Sequence, residues 1–388
     1  MSDGKGKGAT VAATVEGNAL RLLPTGAERM DAILTLVDSA TQSLRLLFYM
    51  VTDDDYGRRV RDALVRAARR GVDVRILVDR FGSGDLESAF FAPLQDAGGH
   101  HCIFHPSYGR RYLIRNHQKL VIADRRRALI GGANLNAEYL EDRSDDHWRD
   151  LWLSIDGPVV AGLADYFDEL EHWTQQAKPR IRDLRRIITQ HSRGTGKVTW
   201  KFSGPMRRHN PWPASVVGDI LGSRRTDIVA AYFAPSGAML RRIGGVVERG
   251  GAARVITAAR SDNNATIAAA RFTFKRLLRR GVRVYEYQPA KLHSKLFVID
   301  DIVHIGSANF DFRSLYLNLE MMLRVEDADF ATQMRAFVDG EAAQSIEITP
   351  ETHRARTTVF RKIKWALSYF LVTSMDYNVT RRINFGLE

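Results

Sequence analysis

The chain has 388 residues, enough for two domains of ordinary size or for one body assembled from two similar lobes. Hydrophobic residues make up 45% and charged residues 26%, a globular balance that excludes an extended disordered chain. The formal charge of +12 favours a polyanionic partner, nucleic acid or an anionic lipid sheet, with a merely soluble basic protein as the plain alternative. Cys102 is the only cysteine, so an intrachain disulfide and a cysteine-based metal cluster are excluded and a reducing compartment is expected. Met1 to Gly17 lacks the apolar core of a signal peptide, and no stretch approaches the roughly 20 apolar residues that span a bilayer. The expected location is the cytoplasmic face of the membrane, held peripherally.

In chain order, an amphipathic run from Met30 to Ala40 leads into an apolar strand at Ser43–Tyr49, followed by a loop at Asp53–Gly57. Val60, Leu64, Ala67 and Ala68 recur at helical spacing up to a stop at Gly71, and Val72–Asp79 reads as the next strand. This strand, helix, strand unit requires parallel strands. Trp173 to Trp200 is polar and charged, with a helix expected at Ile181–Ile188, and the lobe boundary is expected near residue 190. The order then repeats: strand Asp227–Phe233, helix Leu240–Val247, strand Ala253–Ala258, a helix through Phe274 and Leu277, and strand Val282–Tyr287.

Each half closes on the same phrase. His117, Lys119, Asp124 and Gly131-Gly132-Ala133-Asn134 are answered by His293, Lys295, Asp300 and Gly306-Ser307-Ala308-Asn309. The residues after each lysine are apolar, then come the aspartate and a second apolar run ending in glycine. That pattern predicts a strand, tight turn and strand, with His and Lys on one face because strand side chains alternate. One such phrase is an ordinary exposed basic pair, whereas two with equal His, Lys and Asp spacing make a divided site.

Attack on a phosphodiester needs a nucleophile, an acid for the leaving oxygen, and cations or donors on the non-bridging oxygens. Two imidazoles serve the first two roles, since each titrates near neutrality. Lys119, Lys295 and the amides of Asn134 and Asn309 would hold the phosphate, and the glycines with Ser307 leave room for it. The lysines would repel a cation, and neither histidine has zinc-like companions, so no metal and no cofactor are expected.

His-x-Lys, four residues, Asp, six residues, Gly-[Gly/Ser]-x-Asn resembles the signature of the phospholipase D superfamily. The first copy fits throughout. The second has five residues, Asp301 to Ile305, in place of six, and a shortened turn is expected to absorb the difference. The resemblance covers about residues 20–345. It implies an α/β fold of two similar lobes, 1–190 and 191–388, each a mixed, largely parallel sheet flanked by helices, with the active site between them. It also implies a catalytic set of His117, Lys119, Asp124, His293, Lys295 and Asp300, in which the two aspartates support geometry rather than carry protons. In the family a later carboxylate hydrogen-bonds the catalytic histidine, a role that falls here to Glu320 and Asp150.

Phe310–Glu320 after the second phrase, and Trp148-Arg149-Asp150 with Gly157–Val160 after the first, are similar to bacterial cardiolipin synthases. That resemblance implies transfer of a phosphatidyl group from phosphatidylglycerol to a second phospholipid, with His117 attacking first to give a phosphohistidine. The alternatives are a phospholipase D releasing phosphatidic acid, a nucleic-acid phosphodiesterase, and a non-catalytic basic scaffold. The expected partner is an anionic phospholipid membrane, with neither nucleic acid nor an obligate protein partner. Arg110, Arg111 and Arg115 would hold a second lipid phosphate or form a solvated basic face. Arg356, Arg361, Lys362, Lys364, Arg381 and Arg382 surround Trp365–Val372, which reads equally as a segment lying on an anionic bilayer or as a helix docked on the protein.

Overall fold

Duplication of the phrase is duplication of a sheet. The computed structural model describes residues 10–372 apart from 85, 106–113, 143–146 and 207–208, so Arg110, Arg111, Arg381 and Arg382 lie outside the described residues. The first half runs β1 (Ala12–Val15), β2 (Asn18–Leu23), α1 (Gly26–Asp38), β3 (Ser43–Phe48), α2 (Asp55–Arg69), β4 (Asp73–Asp79), α3 (Ala92–Asp96) and β5 (His100–Phe104). It continues with β6 (Leu120–Ala123), β7 (Arg127–Gly131), α4 (Ala137–Leu140), β8 (Trp148–Arg149), β9 (Trp152–Asp156), α5 (Val159–Gln175) and α6 (Ile181–His191). The second half follows with β10 (Val198–Ser203), α7 (Pro211–Gly222), β11 (Arg225–Ala230), α8 (Gly237–Glu248), β12 (Ala252–Ala258), α9 (Asn264–Leu278) and β13 (Arg283–Tyr287). It ends with β14 (Lys291–Leu292), β15 (Lys295–Ile299), β16 (Ile302–Gly306), α10 (Phe312–Tyr316), β17 (Glu320–Glu326), α11 (Ala328–Ala343), β18 (Ser345–Ile348), α12 (Pro350–Arg356) and α13 (Val359–Phe370).

The first sheet has the order β1-β2-β9-β7-β6-β3-β4-β5 and the second β10-β17-β16-β15-β11-β12-β13-β18. Seven strands therefore correspond one to one, and the eighth is added at opposite edges. Both sheets are mixed α/β sheets, as expected. Their parallel part is confined to β3-β4-β5 and β11-β12-β13, where a helix carries the chain from one strand to the next. The other pairings are antiparallel, because the motif hairpin and the strand after it turn back directly. The largely parallel character expected from the sequence thus holds only for the strand-helix-strand portion.

Side-chain alternation divides the core. In β6, Leu120 and Ile122 join one buried cluster while Val121 and Ala123 join another; in β15, Leu296 and Val298 part from Phe297 and Ile299 in the same way. One cluster belongs to the first sheet and its outer helices, one to the second sheet and its own. The third contains residues of both sheets together with α5, α6 and α11, so the lobes share a common core. Both faces of these strands are covered, which explains their unbroken apolar runs.

The one-residue difference between the phrases falls in the hairpin turn. Ala123 pairs with Arg127 and leaves three residues between them, whereas Ile299 pairs with Ile302 and leaves two. Strand register beyond the turn is unaffected. Asp124 and Asp300 occupy these turns with left-handed backbone, at φ 52° and 46°. The Asp124 carboxylate accepts the backbone N–H groups of Thr41 at 3.0 Å, Gln42 at 2.7 Å and Ser43 at 3.0 Å; Asp300 accepts those of Arg224 at 3.1 Å and Arg225 at 2.7 Å. Each aspartate ties its hairpin to the loop entering the neighbouring parallel strand. Asp124→Ala, which removes a charged acceptor of three backbone donors, is expected to cost on the order of 2–4 kcal/mol in urea unfolding. An unchanged midpoint would show that the turn does not depend on it.

Candidate active site

His117 and His293 each lie just before a motif strand, β6 and β15, and each is gripped by the opposite lobe. Asn116 forms a parallel bridge with Leu319, and the His117 N–H donates to the Leu319 carbonyl at 2.9 Å. Leu292 pairs in parallel with Arg149, and the His293 N–H donates to the Arg149 carbonyl at 2.8 Å. Leu319 and Arg149 immediately precede Glu320 and Asp150. The consequence is an exchange: His117 Nδ1 lies 3.0 Å from Glu320 Oε2 of the second lobe, and His293 Nδ1 lies 2.5 Å from Asp150 Oδ2 of the first. A carboxylate at Nδ1 retains the proton there and leaves Nε2 with its lone pair for chemistry.

The two carboxylates are satisfied differently. Glu320 accepts the Ser307 hydroxyl at 2.6 Å and the Ser314 hydroxyl at 2.8 Å. Where the second copy has Ser307, the first has Gly132, and a Cβ there would lie 2.5 Å from Asp150 Oδ1. The shorter acid sits directly against the glycine and takes the Leu151 N–H at 2.7 Å. Beneath it the buried Arg29 guanidinium donates to the Asp150 carbonyl at 2.7 Å and to the Tyr139 carbonyl at 2.6 Å.

Lys119 and Lys295 are 0% and 1% exposed. Lys119 Nζ donates to the His117 carbonyl at 2.6 Å, and Lys295 Nζ to the His293 carbonyl, the same local loop in both lobes. Burial pushes Lys119 down to about 7 against the pull of Glu320, and Lys295 down to about 8 against Asp150 and Glu320. Burial followed by the Lys295 ammonium pushes His293 down to about 3, although Asp150 opposes this. Burial also lowers His117, with Glu320 opposing and Lys119 adding to it. Burial alone would raise the Asp150 carboxyl, but Lys295 and His293 overturn that and hold it below the usual range. Each lysine acts on the histidine of the other copy as well as its own, so the four side chains share one electrostatic neighbourhood.

Asn134 and Asn309 follow the glycine bends, each 3% exposed, and their Oδ1 atoms have no partner among the described residues. Buried amide oxygens of this kind call for a donor, which a substrate hydroxyl would supply. Arg115 lies two residues before His117, its guanidinium 4.2 Å from the centre of the Phe81 ring and beside a cavity that also meets Arg80 and Asp79. Asp124 and Asp300 are not brought to this centre: they stand at the far ends of β6 and β15, where they close turns.

Spacing gave no sign of the aromatic walls. His293 is ringed by Tyr139 at 5.1 Å, Trp148 at 5.3 Å and Tyr232 at 6.2 Å, and His117 meets Tyr49 at 5.0 Å. Nor did it mark Arg29, whose partners Tyr139 and Asp150 are distant in sequence, or Ser314, which lies on the short helix α10 ahead of Glu320. Among the described residues no group of three or more His, Cys, Asp or Glu is disposed to hold a metal ion, and the cations of the centre are the two ammonium groups. The arrangement offers two imidazoles, each with a carboxylate at Nδ1, and two ammonium groups beside them, Lys295 Nζ also lying 2.6 Å from His293 Nδ1.

The family described as cardiolipin synthase, PLD-like domain matches residues 33–171 and 220–340. Cardiolipin synthase A of Pseudomonas fluorescens is 33% identical over 346 residues, covering 87% of this chain and 71% of that protein. The enzyme of that name from Pseudomonas putida strain W619 is 34% identical over 349 residues, covering 87% and 72%. Among solved structures, phosphatidylserine synthase of Haemophilus influenzae superposes with a TM-score of 0.71 at 14% identity over 96% of both chains. Polyphosphate kinase of Porphyromonas gingivalis superposes with 0.55 at 14% identity over 83% of this chain and 50% of that one. At these identities the structural likeness is one of fold.

The lysine protonation states make a measurable demand. Both ammonium groups are intact below about 7 and lose their protons as pH rises through about 7 to 8, so anion binding weakens in that window. Calorimetric titration with dimethyl phosphate, whose own charge is constant there, is expected to show affinity falling at least tenfold, about 1.4 kcal/mol, between pH 6.5 and 9. Affinity constant across that range would remove the lysines from phosphate binding.

Proposed function

Since the chain belongs to the family of cardiolipin synthase, PLD-like domains, and is an enzyme of the phospholipase D-type phosphatidyltransferase class, we propose that it makes cardiolipin from phosphatidylglycerol and a second phospholipid. The observation that carries the chemistry is the pair of buried histidines, each hydrogen-bonded through Nδ1 to a carboxylate of the opposite lobe.

In the first step His117 Nε2 attacks the phosphorus of phosphatidylglycerol and the bond to the headgroup glycerol breaks. His293, protonated as the diester enters, gives its proton to the departing glycerol oxygen. Lys119 and Lys295 neutralise the non-bridging oxygens, where charge accumulates in the transition state. In the second step neutral His293 takes the proton from the hydroxyl of an incoming phosphatidylglycerol. That oxygen attacks phosphorus, and the bond to His117 breaks to release cardiolipin. Each histidine ends as it began. His117 is given the nucleophile's part because its side chain is 13% exposed against 5% for His293, which leaves it more open to the diester. The enzyme would act peripherally at the cytoplasmic face of the membrane.

One observation favours the reverse assignment: burial and Lys295 push His293 down to about 3, and a nucleophile must be neutral whereas an acid must not. The acid role therefore requires the charge of the bound diester to lift His293. Quenching under alkaline conditions during turnover, followed by peptide mapping, is expected to find phosphorus on the His117 peptide. An adduct on His293 would exchange the roles, and none on either would sink the covalent scheme.

Phosphatidylglycerol vesicles incubated with the enzyme are expected to yield cardiolipin and glycerol, with His117→Ala and His293→Ala each lowering turnover by about 10³-fold or more. Phosphatidic acid as the sole product would make the enzyme a hydrolase. DNA cleavage without lipid turnover would overturn the lipid assignment.

A further inference from the structure

The C-terminal helix α13 is docked on one face and bare on the other. Trp365, 8% exposed, stacks on His353 at 5.7 Å, Tyr369 packs on Phe272 at 4.8 Å, and the Tyr369 hydroxyl donates to the Pro235 carbonyl at 2.7 Å. The opposite face presents Val359, Phe360, Ile363, Leu367 and Phe370, exposed by 53 to 86%. At 100° per residue these five fall within about 100° of arc, with Lys362 and Lys364 at its two borders. Single exposed apolar residues are commonplace, but five forming one stripe mark a surface meant to be covered. Of the two readings left open by the sequence, docking on the protein therefore describes one face, and the other face is bare among the described residues.

Behind the helix lies a cavity of about 540 Å³. Arg271, Arg356, Arg361 and Lys364 line it together with Trp365 and Phe274, and Glu286 is the one carboxylate among its lining residues. Glu286 is bonded to Arg271 at 2.7 Å and Arg356 at 3.2 Å, which leaves the lining with an excess of positive charge beside an apolar stripe. That combination matches the phosphate and acyl parts of a phospholipid.

The helix is also placed where a lipid enzyme would need it. Pro235, which receives the Tyr369 hydroxyl, is three residues beyond Tyr232, whose ring stands against His293. The cavity wall begins at Ala259, and Asp262, on the same loop, accepts the Tyr232 hydroxyl at 3.0 Å. On the side of the other lobe, Phe81 is 61% exposed and carries the Arg115 guanidinium over its ring, two residues from His117. Apolar and cationic groups thus flank the active centre from both lobes.

We propose that α13 is a membrane-docking helix whose apolar stripe enters the headgroup boundary of an anionic phospholipid bilayer while the basic cavity behind it takes a lipid phosphate. The net charge of +12 and the lysines bordering the stripe favour an anionic bilayer over a neutral one or a protein groove. The proposal deepens the function given above by stating how the enzyme meets its substrate, and its test does not need turnover.

The full chain is sedimented with vesicles of phosphatidylcholine, alone or mixed with phosphatidylserine. Binding is expected to be at least tenfold tighter to the anionic vesicles and to weaken with salt. F360S/I363S/L367S is expected to lower vesicle affinity at least tenfold, and R361E/K364E to abolish the preference for anionic lipid. Turnover of short-chain, monomeric phosphatidylglycerol by both variants should stay within about twofold of the parent, which also shows that they are folded, while turnover in vesicles falls with binding. Vesicle binding unchanged in both variants would overturn the proposal. So would a stripe variant that converts a dimer to a monomer without altering vesicle binding, which would assign the stripe to a second copy. If no phospholipid is turned over at all, sedimentation still decides the docking question while the function falls.

Discussion

Everything in this molecule depends on an exchange of carboxylates between its lobes. Glu320 orients the histidine of the first phrase and Asp150 that of the second, so neither lobe contains a working half of its own. The exchange demands that the lobes be held in fixed register, and two devices do this. One is the common core built on α5, α6 and α11 between the sheets; the other is the pair of parallel bridges that set each histidine beside the segment leading into the opposite acid. Arg149 adds a third tie, bonding at 2.6 Å to Glu341 on α11. The cost of bringing two ammonium groups and two carboxylates out of water is offset only in part by their mutual attraction, since burial still lowers both lysines. Separating the lobes would strand each of the four.

Within this symmetry the halves have diverged. Asp150 is short and backed by the bare Gly132, whereas Glu320 is longer and held by Ser307 and Ser314. His293 is walled by three aromatic rings and His117 by one. Burial and the neighbouring lysines lower both imidazoles, and His293, the more enclosed of the two, goes down to about 3. Duplication supplied the parts, and their surroundings then diverged.

Legibility of the fold followed the strength of the local signal. β3, α2, β4, β12, α9 and β13 stood out because apolar residues recur with period 2 or 3.6 between glycine stops. β11 starts two residues before and ends three before the expected Asp227–Phe233, and α2 takes in most of the loop expected at Asp53–Gly57, because Asp54 caps it by accepting the Gly57 N–H at 2.8 Å. β1, β2, β10 and β18 went unread: β1 closes a hairpin on β2, while β2, β10 and β18 pair with β9, β17 and β13 far along the chain. For the two aspartates of the phrase the physics was available: five residues along an extended strand is about 16 Å, too far to share a centre with the lysine. Their constant spacing is the length of a hairpin arm, which the chemistry needs only indirectly.

The chain itself determined the candidate reacting groups and their number. A histidine and lysine two apart on a strand must share a face, and a phrase written twice must supply two such faces, whatever the rest of the fold does. It also determined that the one-residue shortening would fall in a turn, since a slip within a strand would have moved every core side chain to the wrong side. Only the tertiary structure decided which acid serves which histidine. The partners are 203 and 143 residues apart, and no local rule links residues at that range. The pairing is set by how two sheets pack across a shared core, which is a property of complementary surfaces and has no counterpart in spacing along the chain.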